Sequence, residues 1–350
     1  MKTPTFGLFD HIEGIPGDTP TKIFQDRLDF IRTADQAGFR SFHLAEHHGT
    51  DLSMAPNQDV FIAAASQITE NIRLGPMVKL LPMHHPVQVI EDMCVLDQLT
   101  GGRLDYGVGR GAVPVEHAWH GGDFRTARER FVDYLGIIAD ALRTGEISSE
   151  NSAYLDFPTM PLTTGPLQET IPFWYPGNPV TAGKHGMNLM WPGPISQETY
   201  EAYLEAWDKH KGDRIRLDGP NSEPTVATTM MIAISEDENE ALEVARRGME
   251  GLQRRTFNTH RFDALIIDEE EQEKALAPLK AIQAGLQEAV AFGAGTPSQL
   301  AERMGAVLEP GIIDHVVLMV PAGDMTMAES RRTLELFASE VKPQLEMQPA

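Results

Sequence analysis

Residues that could move protons or bind anions follow three short apolar runs of this chain. They are Glu46-His47-His48 after Ser41–Ala45, His84-His85 after Met77–Leu81, and Gly109-Arg110-Gly111 after Leu104–Val108. Histidine titrates near neutral pH, so either pair could supply a general acid or base. An arginine between glycines presents a rigid, doubly donating group to a phosphate or carboxylate, since glycine permits close backbone approach. We therefore expect a site at the ends of these strands.

The histidines also permit two other interpretations. A histidine at the edge of a barrel can be held there by a hydrogen bond without any catalytic role. The five histidines between residues 43 and 85, or Glu116 with His117 and His120, could instead bind a metal ion. They lack a compact ligand spacing such as HExxH, and carboxylates are sparse around them. We therefore expect no metal site.

A second anion-binding element is expected after the fifth apolar run. Tyr175 is followed by a loop that contains Gly177 and Asn178 and leads to Thr181 at a helix start, where backbone N–H groups could bind an anion. Arg128 could add a second positive charge beside Arg110. Two such elements on adjacent strand ends imply a phosphorylated ligand, although glycine-rich segments are commonly ordinary turns.

Methionine and tryptophan side chains near the strand ends could form an apolar wall. Met77, Leu80 and Met83 lie in the third run, and Met190 and Trp191 in the sixth. Such residues are commonly plain core, but at strand exits they could flank a flat aromatic cofactor.

The elements that must position these residues alternate between strand and helix. Amphipathic helix patterns lie between the runs, as in Ile23–Ala37, where apolar residues recur at spacings of three and four. Thr296 and Pro297 predict the start of another helix. The pattern predicts a (β/α)8 barrel. The eight predicted strands are Phe6–Phe9, Ser41–Ala45, Met77–Leu81, Leu104–Val108, Phe173–Tyr175, Asn188–Trp191, Val226–Ile234 and His315–Val320.

The whole chain, residues 1–350, is expected to form one barrel domain with two insertions. Residues 145–172 contain four prolines and predict a hairpin or loop excursion. Residues 251–277 contain an apolar patch and an acidic run, and a long insertion between barrel elements is often a lid.

Composition excludes several classes of partner. The formal net charge is −22, so the chain should repel nucleic acid and anionic membranes. A single cysteine, Cys94, permits no internal disulfide and is compatible with a reducing compartment. The first residues lack the apolar segment of a signal peptide, and no run is long enough to span a membrane. We expect a cytoplasmic protein.

Together these segments resemble the bacterial luciferase-like flavin monooxygenases. The resemblance is densest in AGFRSFHLAEHHG and LLPMHHPVQVIEDMCVLDQLTGGRLDYGVGRG, where Glu91 to Arg103 is the most specific run. FGAGTP before the last helix matches more weakly. The resemblance implies a (β/α)8 barrel, usually a homodimer, that uses reduced FMN supplied by a separate flavin reductase.

The resemblance also implies roles for individual residues. His47 and His48 match paired histidines beside the flavin, one of them catalytic, and Arg110 and Arg128 match phosphate-binding arginines. Gly177, Asn178 and Thr181 correspond to the phosphate loop. The remaining correspondences are a cis peptide at Met77–Val78 beneath the flavin ring, Gly109 in place of a reactive cysteine, an acidic residue at Glu116, and a lid at 251–277.

The function that we expect is a two-component, FMN-dependent monooxygenase acting on an aldehyde, ketone or other small apolar molecule. The alternatives are a deazaflavin-dependent hydride-transfer oxidoreductase, a non-catalytic flavin-binding protein and a metal-dependent hydrolase. The sequence does not identify the substrate, because the loops after the strands determine it.

Overall fold

The computed structural model describes residues 3–260, 277 and 286–346, and these residues form a barrel of parallel strands surrounded by helices. The barrel strands are β1 (Thr5–Asp10), β2 (Ser41–Leu44), β3 (Arg73–Pro76), β4 (Lys79–Leu80), β5 (Tyr106–Gly109), β8 (Phe173–Tyr175), β9 (Asn188–Pro192), β10 (Val226–Met231) and β13 (His315–Met319). Four short strands lie outside the barrel: β6 (Glu146–Ile147), β7 (Met160–Pro161), β11 (Ala233–Ile234) and β12 (Ala294–Gly295).

The barrel strands follow the order β3-β2-β1-β13-β10-β9-β8-β5-β4. Strands β3 and β4 are two parts of the third barrel strand, separated by residues 77–78. β3 pairs with β2, β4 pairs with β5, and Leu74 of β3 bridges to Leu104 just before β5. The sheet therefore returns to itself at the third strand, and the predicted (β/α)8 barrel is confirmed.

The helices cover the outside of the barrel, and side-chain caps fix the starts of several of them. Thr296 caps α10 (Pro297–Leu308) with a capping box that includes Gln299, as its Thr-Pro start predicts. Asn178 caps α6 (Pro179–Lys184) in the same region as the predicted phosphate loop. The helices are α1 (Pro20–Gln36), α2 (Gln58–Ser66), α3 (Pro86–Leu99), α4 (Pro114–Trp119), α5 (Ala127–Thr144), α6 (Pro179–Lys184), α7 (Gln197–Lys209), α8 (Glu238–Thr259), α9 (Leu286–Gly293), α10 (Pro297–Leu308), α11 (Met327–Leu336) and α12 (Lys342–Glu346).

The core has an outer layer between strands and helices and a smaller layer inside the barrel. The outer layer is a continuous aliphatic and aromatic cluster to which nearly every element contributes. Inside, Gly7 leaves room for Ser41 and His315, because a Cβ at residue 7 would lie 2.2 Å from the Ser41 hydroxyl. Burial of this apolar surface, at roughly 25 cal/mol per Å², is the main force holding the loops at the strand ends in place.

Two predicted strands differ from those observed. The third was predicted at Met77–Leu81, but it begins earlier as β3 and resumes as β4. The Val226–Ile234 run divides into β10, which belongs to the barrel, and β11, which pairs with β12. Val226–Ile234 reads as one continuous apolar run, so periodicity alone could not locate the break.

The two predicted insertions have different outcomes. Residues 145–172 contain the antiparallel pair of β6 and β7, as the hairpin interpretation predicts. Residues 251–259 of the predicted lid belong to α8, while residues 261–276 lie outside the described residues. Among the described residues, no helix has the length and apolar character required to cross a membrane.

Candidate functional site

The histidines that follow β2 lie beside two different glutamates at the carboxyl ends of the strands. His48 Nε2 donates to Glu46 Oε1 over 2.9 Å, and His47 Nδ1 donates to Glu116 Oε1 over 3.1 Å. The backbone N–H of His48 also donates to Glu116 Oε1, at 2.9 Å. Successive side chains of an extended segment point to opposite sides, so each histidine reaches its own carboxylate.

Glu46 joins the exits of β2 and β4. Its Oε1 also accepts from His84 Nε2 at 2.5 Å, and its Oε2 accepts from the backbone N–H of Leu80 at 2.9 Å. Burial opposes ionisation, but the hydrogen bonds from His48 and His84, with the Lys79 charge nearby, hold the pKa of Glu46 below its ordinary value. Glu46 is thus a fixed, buried anion between two half-buried imidazoles.

The His47–Glu116 pair is bordered by two histidines that the sequence analysis did not select. The His11 ring stacks on His47 with centroids 5.8 Å apart, and burial and the neighbouring His47 lower the pKa of His11 to about 3. Burial also lowers the pKa of His260, which ends α8 and lies within electrostatic range of His47 and Glu116. His11 lies two residues after the predicted strand Phe6–Phe9, a signal that could have found it, whereas His260 lies far away in sequence.

Two arginines converge on Tyr175, as the anion-binding hypothesis requires. Burial raises the pKa of the Tyr175 phenol, while the charges of Arg110 and Arg128 lower it. Arg110 lies 5.0 Å from the centroid of the Phe124 ring. Neither guanidinium makes a hydrogen bond or ion pair with any described residue, so both can serve a ligand. Phe124 carries no motif that would have identified it.

The loop before α6 fits an anion less fully than predicted. Asn178 Oδ1 accepts from the Thr181 backbone N–H at 3.0 Å, and Pro179 has no N–H to offer. Some of the backbone N–H groups that were expected to bind an anion are therefore absent or already used by the helix cap. Gly177 is close to the phenol, since a Cβ there would lie 2.6 Å from the Tyr175 ring.

Two of the residues expected to form the apolar wall belong to a cluster inside the barrel. The Met77–Val78 peptide is cis, as the resemblance implies. Gly109 allows β5 to pack against it, since a Cβ at residue 109 would lie 2.4 Å from a Val78 methyl. Met77 and Met190 are buried in one cluster with Trp174, whereas Trp191 is half-buried and packs on the outer core. Trp191 therefore does not line this wall, and Trp174 takes the place expected for it.

A cavity of about 350 Å³ lies at the opposite end of the barrel, where Thr5, Asn188 and His315 begin their strands. Active sites of such barrels form at the carboxyl ends of the strands, so the cavity is distinct from the histidine and arginine clusters.

Comparison with known protein families identifies the group to which this barrel belongs. The luciferase-like monooxygenase family matches residues 5–314. The chain belongs to the luciferase-like monooxygenases. This membership agrees with the barrel of parallel strands described above.

Two curated relatives illustrate this membership. An uncharacterized protein of Sinorhizobium fredii is 34% identical over 196 residues, which cover 55% of this chain and 57% of that protein. The oxygenase component of a flavin-dependent trigonelline monooxygenase from Acinetobacter baylyi is 28% identical over 170 residues, 48% of this chain and 47% of that protein. The chain thus spans about half the length of these two relatives.

Solved structures of this luciferase-like fold confirm the architecture. The oxygenating constituent of 3,6-diketocamphane monooxygenase from Pseudomonas putida, in complex with FMN, has a TM-score of 0.72 and 22% identity, covering 97% of this chain and 98% of its own. A coenzyme F420 dependent tetrahydromethanopterin reductase from Methanopyrus kandleri has a TM-score of 0.65 and 20% identity, covering 98% and 99%. At this identity, the likeness concerns the fold.

Proposed function

We propose that this chain is the oxygenase component of a two-component flavin monooxygenase. It takes reduced FMN from a separate reductase and oxygenates a small apolar aldehyde, ketone or related molecule. One atom of O2 enters the substrate and the other leaves as water, with reduced FMN as the electron donor. The observation that carries the proposal is the position of Arg110 and Arg128 beside Tyr175, where neither guanidinium has a hydrogen bond or ion pair with a described residue.

The residues of the mouth fit a flavin in two respects. Arg110 and Arg128 would hold the phosphate, since a guanidinium binds phosphate through parallel hydrogen bonds. Met77 and Val78 would face the ring system, where Gly109 lets the backbone come close. Bound reduced flavin supplies the electrons that activate oxygen, and the apolar wall excludes water from that chemistry.

His47 is the better candidate for proton handling. Its Nδ1 is bound to the buried Glu116, which leaves Nε2 as the proton-accepting atom of the ring. His48 Nε2 instead donates a hydrogen bond to Glu46. The carboxylate behind His47 also stabilises the protonated ring, as in other histidine–carboxylate pairs.

The binding test compares reduced FMN with reduced riboflavin, which lacks the phosphate, under anaerobic conditions. Wild-type protein should bind reduced FMN at least tenfold more tightly than reduced riboflavin. Arg110→Ala should remove that preference, while Arg32→Ala, an exposed arginine of α1, should keep it. Equal affinity of wild-type protein for the two flavins would contradict a phosphate site at Arg110.

The activity test supplies reduced FMN through a general flavin reductase and measures product formed per flavin oxidised, over a panel of aldehydes and ketones. His47→Ala should lower coupled turnover by about a hundredfold, within the range for general acid–base residues. His85→Ala, which changes an exposed histidine, should have no effect. Unchanged coupling in His47→Ala would refute the proton role.

A deazaflavin-dependent reductase is the second candidate, because an F420-dependent enzyme shares this fold. The same anaerobic titration decides between the two: tighter binding of the reduced deazaflavin, with no oxygen uptake, would favour hydride transfer. Tight binding of oxidised FMN without any turnover would indicate a non-catalytic flavin-binding protein.

A further inference from the structure

Three metal-ligand atoms converge at the exits of β2 and β4. Glu46 Oε1, His48 Nε2 and His84 Nε2 all lie within 4.8 Å of one another, with Oε1 2.9 Å from one nitrogen and 2.5 Å from the other. The sequence did not show that these three residues, which lie in two loops, form one ligand set, because His84 lies 38 residues from Glu46.

The three groups are held in place by the fold before any ion arrives. Glu46 is 3% exposed, and its second oxygen is fixed by the Leu80 backbone N–H. The side chains of His48 and His84 are 16% and 18% exposed, so the cluster is closed beneath and open towards the mouth. A closed floor with an open coordination position is typical of three-ligand zinc sites.

The surrounding charges are compatible with a cation. Lys79 is the positive group behind Glu46, and its ammonium is itself paired with Asp59 Oδ2 at 2.6 Å. That ion pair offsets its repulsion of a cation in the cluster. The ring of His120, 4.3 Å from that of His48 between centroids, covers one side of the cluster and is a neutral or coordinating neighbour.

We propose that Glu46, His48 and His84 bind one divalent transition-metal ion of the zinc class. Each imidazole would coordinate the ion through Nε2 as its Nδ1–H tautomer, so the proton that it now donates to Glu46 Oε1 moves to Nδ1 by exchange with solvent. One carboxylate oxygen with two imidazole nitrogens is a borderline donor set, which suits Zn²⁺ or Co²⁺ rather than Mg²⁺ or Ca²⁺. The proposed ligands do not include the guanidinium pair, and the site does not depend on the flavin proposal.

The test uses the chelator-treated, flavin-free full-length protein, titrated calorimetrically with ZnCl2 and separately with MgCl2. One Zn²⁺ should bind per chain, and Mg²⁺ should not bind. Replacing Zn²⁺ by Co²⁺ should give the visible absorption of a nitrogen- and oxygen-ligated ion. Equal binding of Mg²⁺, or zinc uptake below one ion per chain, would overturn the proposal.

Variants locate the ion. His84→Ala and Glu46→Gln should each weaken Zn²⁺ binding at least tenfold, with circular dichroism showing that both remain folded. His85→Ala and His210→Ala, which remove a neighbouring histidine and a surface histidine beside Asp213, should bind zinc as the wild type does. Unchanged affinity in His84→Ala, or an equal loss in His85→Ala, would show adventitious binding to surface histidines and refute the site.

Discussion

His43 and His315 lie inside the barrel. Unlike His47, His48 and His84, they make no hydrogen bond to a carboxylate of a described residue. Neither ring nitrogen of His43 has a hydrogen-bond partner among the described residues, and His315 bonds only to Ser41 and Thr5. Burial lowers the pKa of His43 to about 4, against the raising effect of Asp105, and lowers that of His315 to about 3. Both rings are therefore neutral near pH 7.

The neutral state of His43 makes stability depend on pH. A histidine whose folded pKa is lowered stabilises the fold fully above its unfolded pKa of about 6.5, and that stability is lost as pH falls towards 4. When the pH falls from 7 to 5, this histidine should lower the free energy of unfolding by about 2 kcal/mol. Urea unfolding at the two pH values measures the loss.

His43→Phe should reduce that pH-dependent loss by about 2 kcal/mol relative to wild type, because the phenyl ring does not titrate. His85→Phe alters an exposed ring and should keep the wild-type difference between pH 7 and pH 5. Identical pH dependence in His43→Phe and wild type would show that His43 is not held neutral by burial.

At the scale of elements, two residues of the segment Glu91 to Arg103 stabilise the barrel. Asp97 on α3 accepts hydrogen bonds from the backbone N–H groups of Leu167 and Gln168, and so ties the 145–172 excursion to the helix. Arg103 donates to the backbone carbonyls of residues 66, 69 and 72, which closes the turn between α2 and β3. Asp97 and Arg103, in the most specific family segment of the sequence, therefore have structural roles.

Asp97→Ala should destabilise the protein by about 3 kcal/mol, because it removes a buried carboxylate that accepts three hydrogen bonds from Leu167 and Gln168. Glu91→Ala, at an exposed carboxylate on the same helix, should change stability by less than about 0.5 kcal/mol. Thermal or urea unfolding measures both, and the affinity for reduced FMN should be unchanged in each folded variant. A selective loss of flavin affinity in Asp97→Ala would contradict the structural role.

At the scale of the whole molecule, features that depend on near neighbours could be predicted from the sequence. Six of the eight strand positions follow from apolar runs, and the start of α10 follows from Thr296 and Pro297. The partners of the site residues could not be predicted, because they are chosen by packing between distant segments. Glu116 lies 69 residues from His47, and periodicity carries no information about such a pair.

We propose that two copies of this chain associate through exposed apolar side chains on α2 and α3. Val60 on α2 and Val95 and Leu99 on α3 are 67%, 45% and 46% exposed, and the two helices pack side by side. Single exposed apolar residues are common, but several on adjacent helices are typical of an interface. This patch is consistent with the homodimer that the resemblance implies.

Val95→Asp should convert a homodimer into a monomer, because an aspartate in the middle of an apolar interface would be buried without a partner. Sedimentation equilibrium gives the mass directly. Val180→Asp introduces the same charge at an exposed valine of α6 and should leave the dimer intact. A wild-type monomer, or a Val95→Asp variant that remains dimeric, would show that the α2–α3 surface is not the interface. Because the candidate site lies within one barrel, dissociation should leave the affinity for reduced FMN unchanged.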